Sequence, residues 1–195
     1  MTMMVSNEDQ VTMNNQWEVI LVDEKDNEVG RMEKMEAHRE GVLHRAFSIF
    51  IFNSRGEMLI HQRAAGKYHG AGLWTNACCS HPMPGERVED AVHRRLREEM
   101  GLRCSSRKIF DFIYRAEVEH GLTEHEYDHV FVGYTDQDPQ PDDEEVSDWK
   151  WIDPVALISD FKKYPERYTV WFGIALPLVL DKVAPGPDKG GPGRT

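Results

Sequence analysis

The chain has 195 residues, a formal net charge of −11 and 40% hydrophobic residues, the length of one domain with enough apolar material for a proper core. The acidic balance argues against nucleic acid and anionic membrane surfaces as main partners, while leaving room for a small anionic ligand held by a local group of Lys and Arg. No run approaches the ~20 apolar residues of a membrane span, residues 1–16 show neither a signal nor a transit pattern, and the three cysteines, Cys78 and Cys79 being adjacent, do not suggest a disulfide framework, so a reducing cytoplasm is the expected setting.

In chain order, residues 1–16 are polar and are expected to be a flexible segment, and the domain is expected over 17–182. Trp17–Asp23 reads as a strand, Glu24–Glu28 as a turn and Val29–Lys34 as the return strand. His44–Phe52 and Met58–Arg63 make a hairpin about Asn53–Gly56. A Gly-punctuated loop spans Ala64–Gly85. A helix is predicted from Arg87 to Met100, with Val88, Val92, Leu96 and Met100 on one face and Gly101 as its stop. Ile109–Glu119 and His125–Thr135 flank His120-Gly121 as a second hairpin, Pro139–Glu145 is a charged loop, and Trp149–Asp153 a short strand. Two helices, Pro154–Lys163 and Tyr168–Lys182 with a kink at Pro177, close the domain. Residues 183–195 hold four Gly and three Pro and read as a disordered tail. The mixture predicts an α/β sandwich on a mixed β-sheet.

The segment Trp74–Leu102, WTNACCSHPMPGERVEDAVHRRLREEMGL, concentrates the chemistry. Arg94, Arg95, Glu98 and Glu99 pair at i, i+4, which reads either as two surface salt bridges or as a carboxylate row facing a Mg²⁺-bound diphosphate. From position 80, the spacing Ser80-x5-Glu86-x7-Arg94-Arg95-Leu96-Arg97-Glu98-Glu99-Met100-Gly101-Leu102 resembles the Nudix box. Ser80 stands where that pattern has Gly and Arg95 where it has Glu. An arginine cannot bind a cation, so the fold signal survives while the hydrolase signal weakens.

Trp74-Thr75-Asn76-Ala77-Cys78-Cys79-Ser80-His81-Pro82 resembles the TN-x-x-C-x-HP motif of type I isopentenyl-diphosphate Δ-isomerase, and the resemblance extends over Trp17–Leu180. It implies an α/β/α sandwich of the Nudix type and a catalytic role for Cys79, whose neighbour Cys78 does not match; Cys104 reads as a small buried hydrophobe. It implies His38, His44 and His81 as metal ligands with Glu124 and Glu126, two carboxyls that share one face of a strand at i, i+2, Glu126 being catalytic too. The ion would be Mn²⁺, Zn²⁺ or Mg²⁺. His61, His69, His93, His120, His125 and His129 match no ligand position and are expected to be structural or exposed. Lys34, Arg63, Lys67 and Arg95 would hold the diphosphate. Glu99, with the carbonyl of Cys79, would hold a Mg²⁺ brought by the substrate. Tyr114 would hydrogen-bond Glu126, and Trp171 would face the hydrocarbon, although either could be a core aromatic.

The implied reaction is a 1,3-allylic shift, isopentenyl to dimethylallyl diphosphate, in isoprenoid biosynthesis. Glu126 with Tyr114 is expected to give the proton and Cys79 to remove one; the reverse assignment stays open. The alternatives are a Nudix pyrophosphohydrolase of a nucleoside diphosphate derivative and a non-catalytic ligand-binding module. A monomer or weak dimer with a small isoprenoid diphosphate as its partner is expected.

Overall fold

The computed structural model describes residues 18–183. The predicted N-terminal segment lies outside them, as does the Gly/Pro tail beyond Val183. The elements are β1 (Glu18–Val22), β2 (Glu28–Glu33), α1 (Lys34–Glu40), β3 (His44–Phe52), β4 (Met58–Arg63), β5 (Trp74–Thr75), β6 (Cys78–Ser80), α2 (Val88–Met100), β7 (Ser106–Val118), β8 (Leu122–Tyr134), β9 (Val146–Ile152), α3 (Pro154–Lys163) and α4 (Val170–Val183). Single turns of 3₁₀ helix stand at Glu119–Gly121 and Pro165–Arg167.

β3 is the axis of a mixed sheet. It runs parallel to β8 along its whole length, while its other side is shared by β1, β6 and β4 in succession. β7 extends the sheet beyond β8 and β9 beyond β4, both antiparallel. A strand covered on both faces reads as a near-continuous apolar run, and HRAFSIFIF of β3 does so because its alternate side chains enter two cores. Phe47, Ile49 and Ile51 pack with Ala91, Val92, Leu96 and Met100 of α2. Phe50 and Phe52 pack with Leu157 of α3 and with Trp171, Phe172 and Val179 of α4. Helices on both faces of one sheet give the expected α/β/α layering.

Several predicted boundaries move. The return strand ends at Glu33, and Lys34 opens a helix that periodicity did not announce. This helix is set by its ends: the Glu33 carboxylate accepts from the backbone N–H of Met35 and Glu36, and Gly41 closes it at φ +62°. The long loop after Arg63 contains β5 and β6, so Cys79 sits on a short strand. β8 begins at Leu122 rather than His125, and the last helix starts at Val170, running through Pro177. α3 falls where predicted, with Asp153 capping the N–H groups of Val155 and Ala156.

Candidate active site

Strand register assembles the centre. Across β3, β8 and β7, His44 lies beside Glu126, and Glu126 beside Tyr114. Side chains at paired positions share a face, and Tyr114 Oη donates to Glu126 Oε2 at 2.7 Å. The β3–β6 register sets Ser48 opposite Cys79. Cys78 and Cys79 alternate across the sheet: Cys78 is buried in the α2 core, and Cys79 turns to the opposite face. Its thiol donates to Asn76 Oδ1 at 3.0 Å and stands 3.3 Å from Ser48 Oγ. Ser48 in turn donates to Asp128 Oδ2 at 2.7 Å.

Every expected site residue except His38 and His44 lines one cavity. Those two are fully buried and stand behind Glu124 and Glu126. Their ring orientation is determined by backbone carbonyls. His38 Nδ1 meets Lys34 O at 2.6 Å and His44 Nδ1 meets Val42 O at 2.8 Å. A carbonyl only accepts, so in each neutral ring Nδ1 carries the hydrogen and Nε2 offers a lone pair. Both Nε2 atoms are buried without a hydrogen-bond partner. They face carboxylates, His38 at 3.3 Å from Glu124 Oε1 and His44 at 3.7 Å from Glu126 Oε1. His81 Nε2 lies 2.9 Å from the same Glu126 oxygen. Donor atoms of His38, His44, His81 and Glu126 lie within 4.8 Å of one another, and so do those of His38, His69 and Glu124. The two buried, partnerless Nε2 lone pairs of His38 and His44 face carboxylate oxygens, an arrangement that a cation between them would satisfy. The donor set therefore fits a divalent metal.

Burial and neighbouring charges shift the groups of the site. Burial lowers His38, but Glu124 outweighs it, so the imidazole sits above its ordinary range. Burial pulls His81 down to about 3, leaving it neutral. Glu126 is opposed by burial, yet the imidazoles of His44 and His81 hold its carboxyl well below the usual carboxylate range. The Cys79 thiol is pushed up by burial and then by the negative charge of Asp128. Asp128 is itself driven up by burial and by Glu126.

The cationic wall is tied to acids. Arg95 Nη2 donates to Glu99 Oε1 at 2.6 Å and approaches Glu145 Oε1 at 3.4 Å, and Lys67 also bonds Glu145. The i, i+4 pairs of α2 both form, but Glu99 is 5% exposed and burial raises its carboxyl. The Arg95–Glu99 pair is therefore no surface bridge. The Arg63 guanidinium stacks 5.3 Å over Trp171, whose Nε1 donates to Thr75 Oγ1.

A NUDIX domain profile matches residues 42–172. The chain is 52% identical over 163 residues to isopentenyl-diphosphate Delta-isomerase 2 of Aromatoleum aromaticum, covering 84% of this chain and 86% of that protein. It is 48% identical over 164 residues to the isopentenyl-diphosphate Delta-isomerase of Pectobacterium atrosepticum, covering 84% and 92%. The chain belongs to the isopentenyl-diphosphate Δ-isomerase family. Solved structures agree on the fold: a Deinococcus radiodurans protein superposes with a TM-score of 0.68 at 22% identity, over 85% of this chain and 99% of that one. A MutT protein of Methanosarcina mazei superposes with a TM-score of 0.61 at 18% identity, over 73% and 96%.

One histidine outside the expected ligand set nevertheless stands at the site. His69, expected to be structural or exposed, is buried with Nε2 2.5 Å from Glu124 Oε1. The other unmatched histidines keep their expected character: His61 and His129 are buried away from the cavity lining, and His93 and His120 are exposed. Ser48, Asp128 and Glu145 also reach site residues unannounced, and Asn76, quoted in the motif without a role, binds the Cys79 thiol. The only sequence signal for Asp128 was that it continues the i, i+2 row of Glu124 and Glu126. No helix among the described residues is long and apolar enough to cross a membrane.

Proposed function

We propose that the chain isomerises isopentenyl diphosphate to dimethylallyl diphosphate by adding and removing protons across one cavity. The observation that carries the reading is that the Cys79 thiol and the Tyr114-bonded Glu126 carboxyl line the same cavity as Trp171 and the cationic wall.

An unactivated alkene is a weak base, so its protonation needs a strong acid in a water-poor site. Glu126, once protonated and held by Tyr114, gives its proton to the terminal carbon. The double-bond pair forms the new C–H bond and leaves a tertiary cation at C3. The Cys79 thiolate then takes a proton from C2, and that C–H pair becomes the new double bond. Each turnover leaves Glu126 short of a proton and Cys79 with one extra, and exchange with solvent restores both. Trp171, fixed by Thr75, presents a π-face to the cation, worth about 2 kcal/mol or more when desolvated.

Lys34, Arg63, Lys67 and Arg95 would bind the diphosphate, which replaces Glu145 as partner of Lys67 and Arg95. His38, His44, His81, Glu124 and Glu126 would hold a divalent ion, Mn²⁺, Zn²⁺ or Mg²⁺, and Glu99 with the Cys79 carbonyl a Mg²⁺. When bound, these ions supply fixed positive charge beside Glu126 and beside the diphosphate oxygens. Binding energy from the diphosphate orients the small hydrocarbon.

A proton NMR time course with isopentenyl diphosphate and Mg²⁺ tests the reading. The vinylidene signals should give way to dimethylallyl signals. Phosphate release with the double bond unmoved would transfer the site to the pyrophosphohydrolase alternative, against which Arg95 argues. In D₂O, Cys79→Ala should admit deuterium at the terminal carbon without forming product, and Glu126→Gln should do neither. The opposite pattern reverses the acid and base.

A further inference from the structure

His69 differs from His38 and His44 in a way that assigns it a separate task. His38 and His44 each donate Nδ1–H to a carbonyl, so Nε2 is their free lone pair. His69 has no such tether: its Nδ1 is buried without a partner, while its Nε2 stands 2.5 Å from Glu124 Oε1. A carboxylate oxygen needs a hydrogen at that contact, so His69 takes the other tautomer, with Nε2–H donating and Nδ1 bare. Nε2 cannot serve as a metal ligand while its hydrogen serves Glu124.

We infer that His69 is a positioning residue of the metal centre, holding Glu124 by an Nε2–H···Oε1 hydrogen bond while its own ring stays outside the ligand set. This rests on the metal-site reading above. The carboxylate is otherwise unsteadied at that oxygen, since the other imidazole near it, His38 at 3.3 Å, presents a lone pair. The same residue ties the centre to the substrate side. Its carbonyl accepts from Arg63 Nη2 at 3.0 Å, and its ring stands edge-on to Trp171 with centroids 5.7 Å apart. It lies two residues after Lys67, so the backbone that carries a diphosphate cation is anchored at the metal ligand.

The test measures Mn²⁺ affinity by electron paramagnetic resonance under chelator competition, in the full-length wild type, His69→Ala and His69→Gln. Circular dichroism checks that each variant is folded. Loss of a hydrogen bond to a ligand typically weakens metal binding about 10- to 100-fold, and His69→Ala should lie in that range. His69→Gln keeps an N–H at similar reach and should recover most of the loss, which a packing role alone would not produce. The nitrogen couplings to bound Mn²⁺ should be the same in wild type and His69→Ala, because the ligand histidines remain. A wild type that binds Mn²⁺ and a folded His69→Ala that binds it equally well overturns the inference alone. Loss of one nitrogen coupling in His69→Ala overturns it in favour of direct ligation. A wild type that binds no ion overturns the metal-site reading and this inference together.

Discussion

Tyr114 illustrates how much one hydroxyl can be asked to do. It is opposite Glu126 in the β7–β8 register, and its ring packs 5.6 Å from Phe112. Tyr114→Phe removes the 2.7 Å hydrogen bond to Glu126 Oε2 and keeps the ring. A hydrogen bond to a charged group is worth about 1.5–3 kcal/mol, so kcat should fall about 10- to 100-fold. KM for the diphosphate should hold, because the cations that bind it are untouched. Steady-state kinetics check the split, and a variant that loses affinity at constant kcat would remove Tyr114 from proton transfer. Cys79→Ala and Glu126→Gln should be far more severe, abolishing isomerisation with the circular dichroism unchanged. Cys79→Ala removes only a sulfur at the edge of one core, and Glu126→Gln is isosteric.

At the scale of elements, α2 and the turn before it are held by charge. Glu86 accepts from Arg94 Nε at 2.7 Å and Nη2 at 2.8 Å, and from Met83 N at 2.8 Å. Burial raises the Glu86 carboxyl, but these bonds prevail and it sits below its ordinary value. A carboxyl lowered on folding stabilises above the unfolded pKa of about 4.3, and that contribution disappears as pH falls through the folded value. Arg94→Ala should therefore cost about 1 kcal/mol near neutrality, discounted for partial exposure, or about 2–4 °C in Tm. The gap to wild type should close below about pH 4. A gap constant with pH would mean that Arg94 acts by packing. Gly101, which ends the same helix at φ +65°, is constrained twice over. A Cβ there would meet the Gln140 carbonyl at 2.6 Å. Gly101→Ala should lose more than the ~1–2 kcal/mol of an ordinary left-handed position, read from thermal melts. α2 was legible because its apolar stripe repeats over 13 residues. α1, seven residues long, buries only Ala37 and His38, too little to leave a period. β5 and β6, of two and three residues, are shorter than any pattern.

For the whole molecule, the site is a meeting of distant segments. The motif around Cys79 and the carboxylate row of β8 could be read from the sequence because each is local. The Ser48–Asp128 bond spans 80 positions, the Lys67–Glu145 pair 78, and neither belongs to a local motif. His69 could not be told from a surface histidine until the chain returned to Glu124. The same dispersion makes the metal a property of global stability. The expected ligands come from α1, β3, β8 and the turn after β6, so an unfolded chain cannot gather them, and an ion that binds only the folded state stabilises it by mass action. At a concentration about 100 times Kd the gain is about 2.7 kcal/mol, or about 5–10 °C in Tm for a domain of this size. Protons compete for the same lone pairs. His38, raised by Glu124 against its burial, takes one as pH falls. The Mn²⁺-induced rise in Tm should accordingly be largest near pH 7.5 and shrink towards about pH 6. Scanning calorimetry of the chelated protein with and without Mn²⁺ at both pH values measures it. A rise of equal size at the two would mean that the ion binds oxygen ligands alone, away from the histidines.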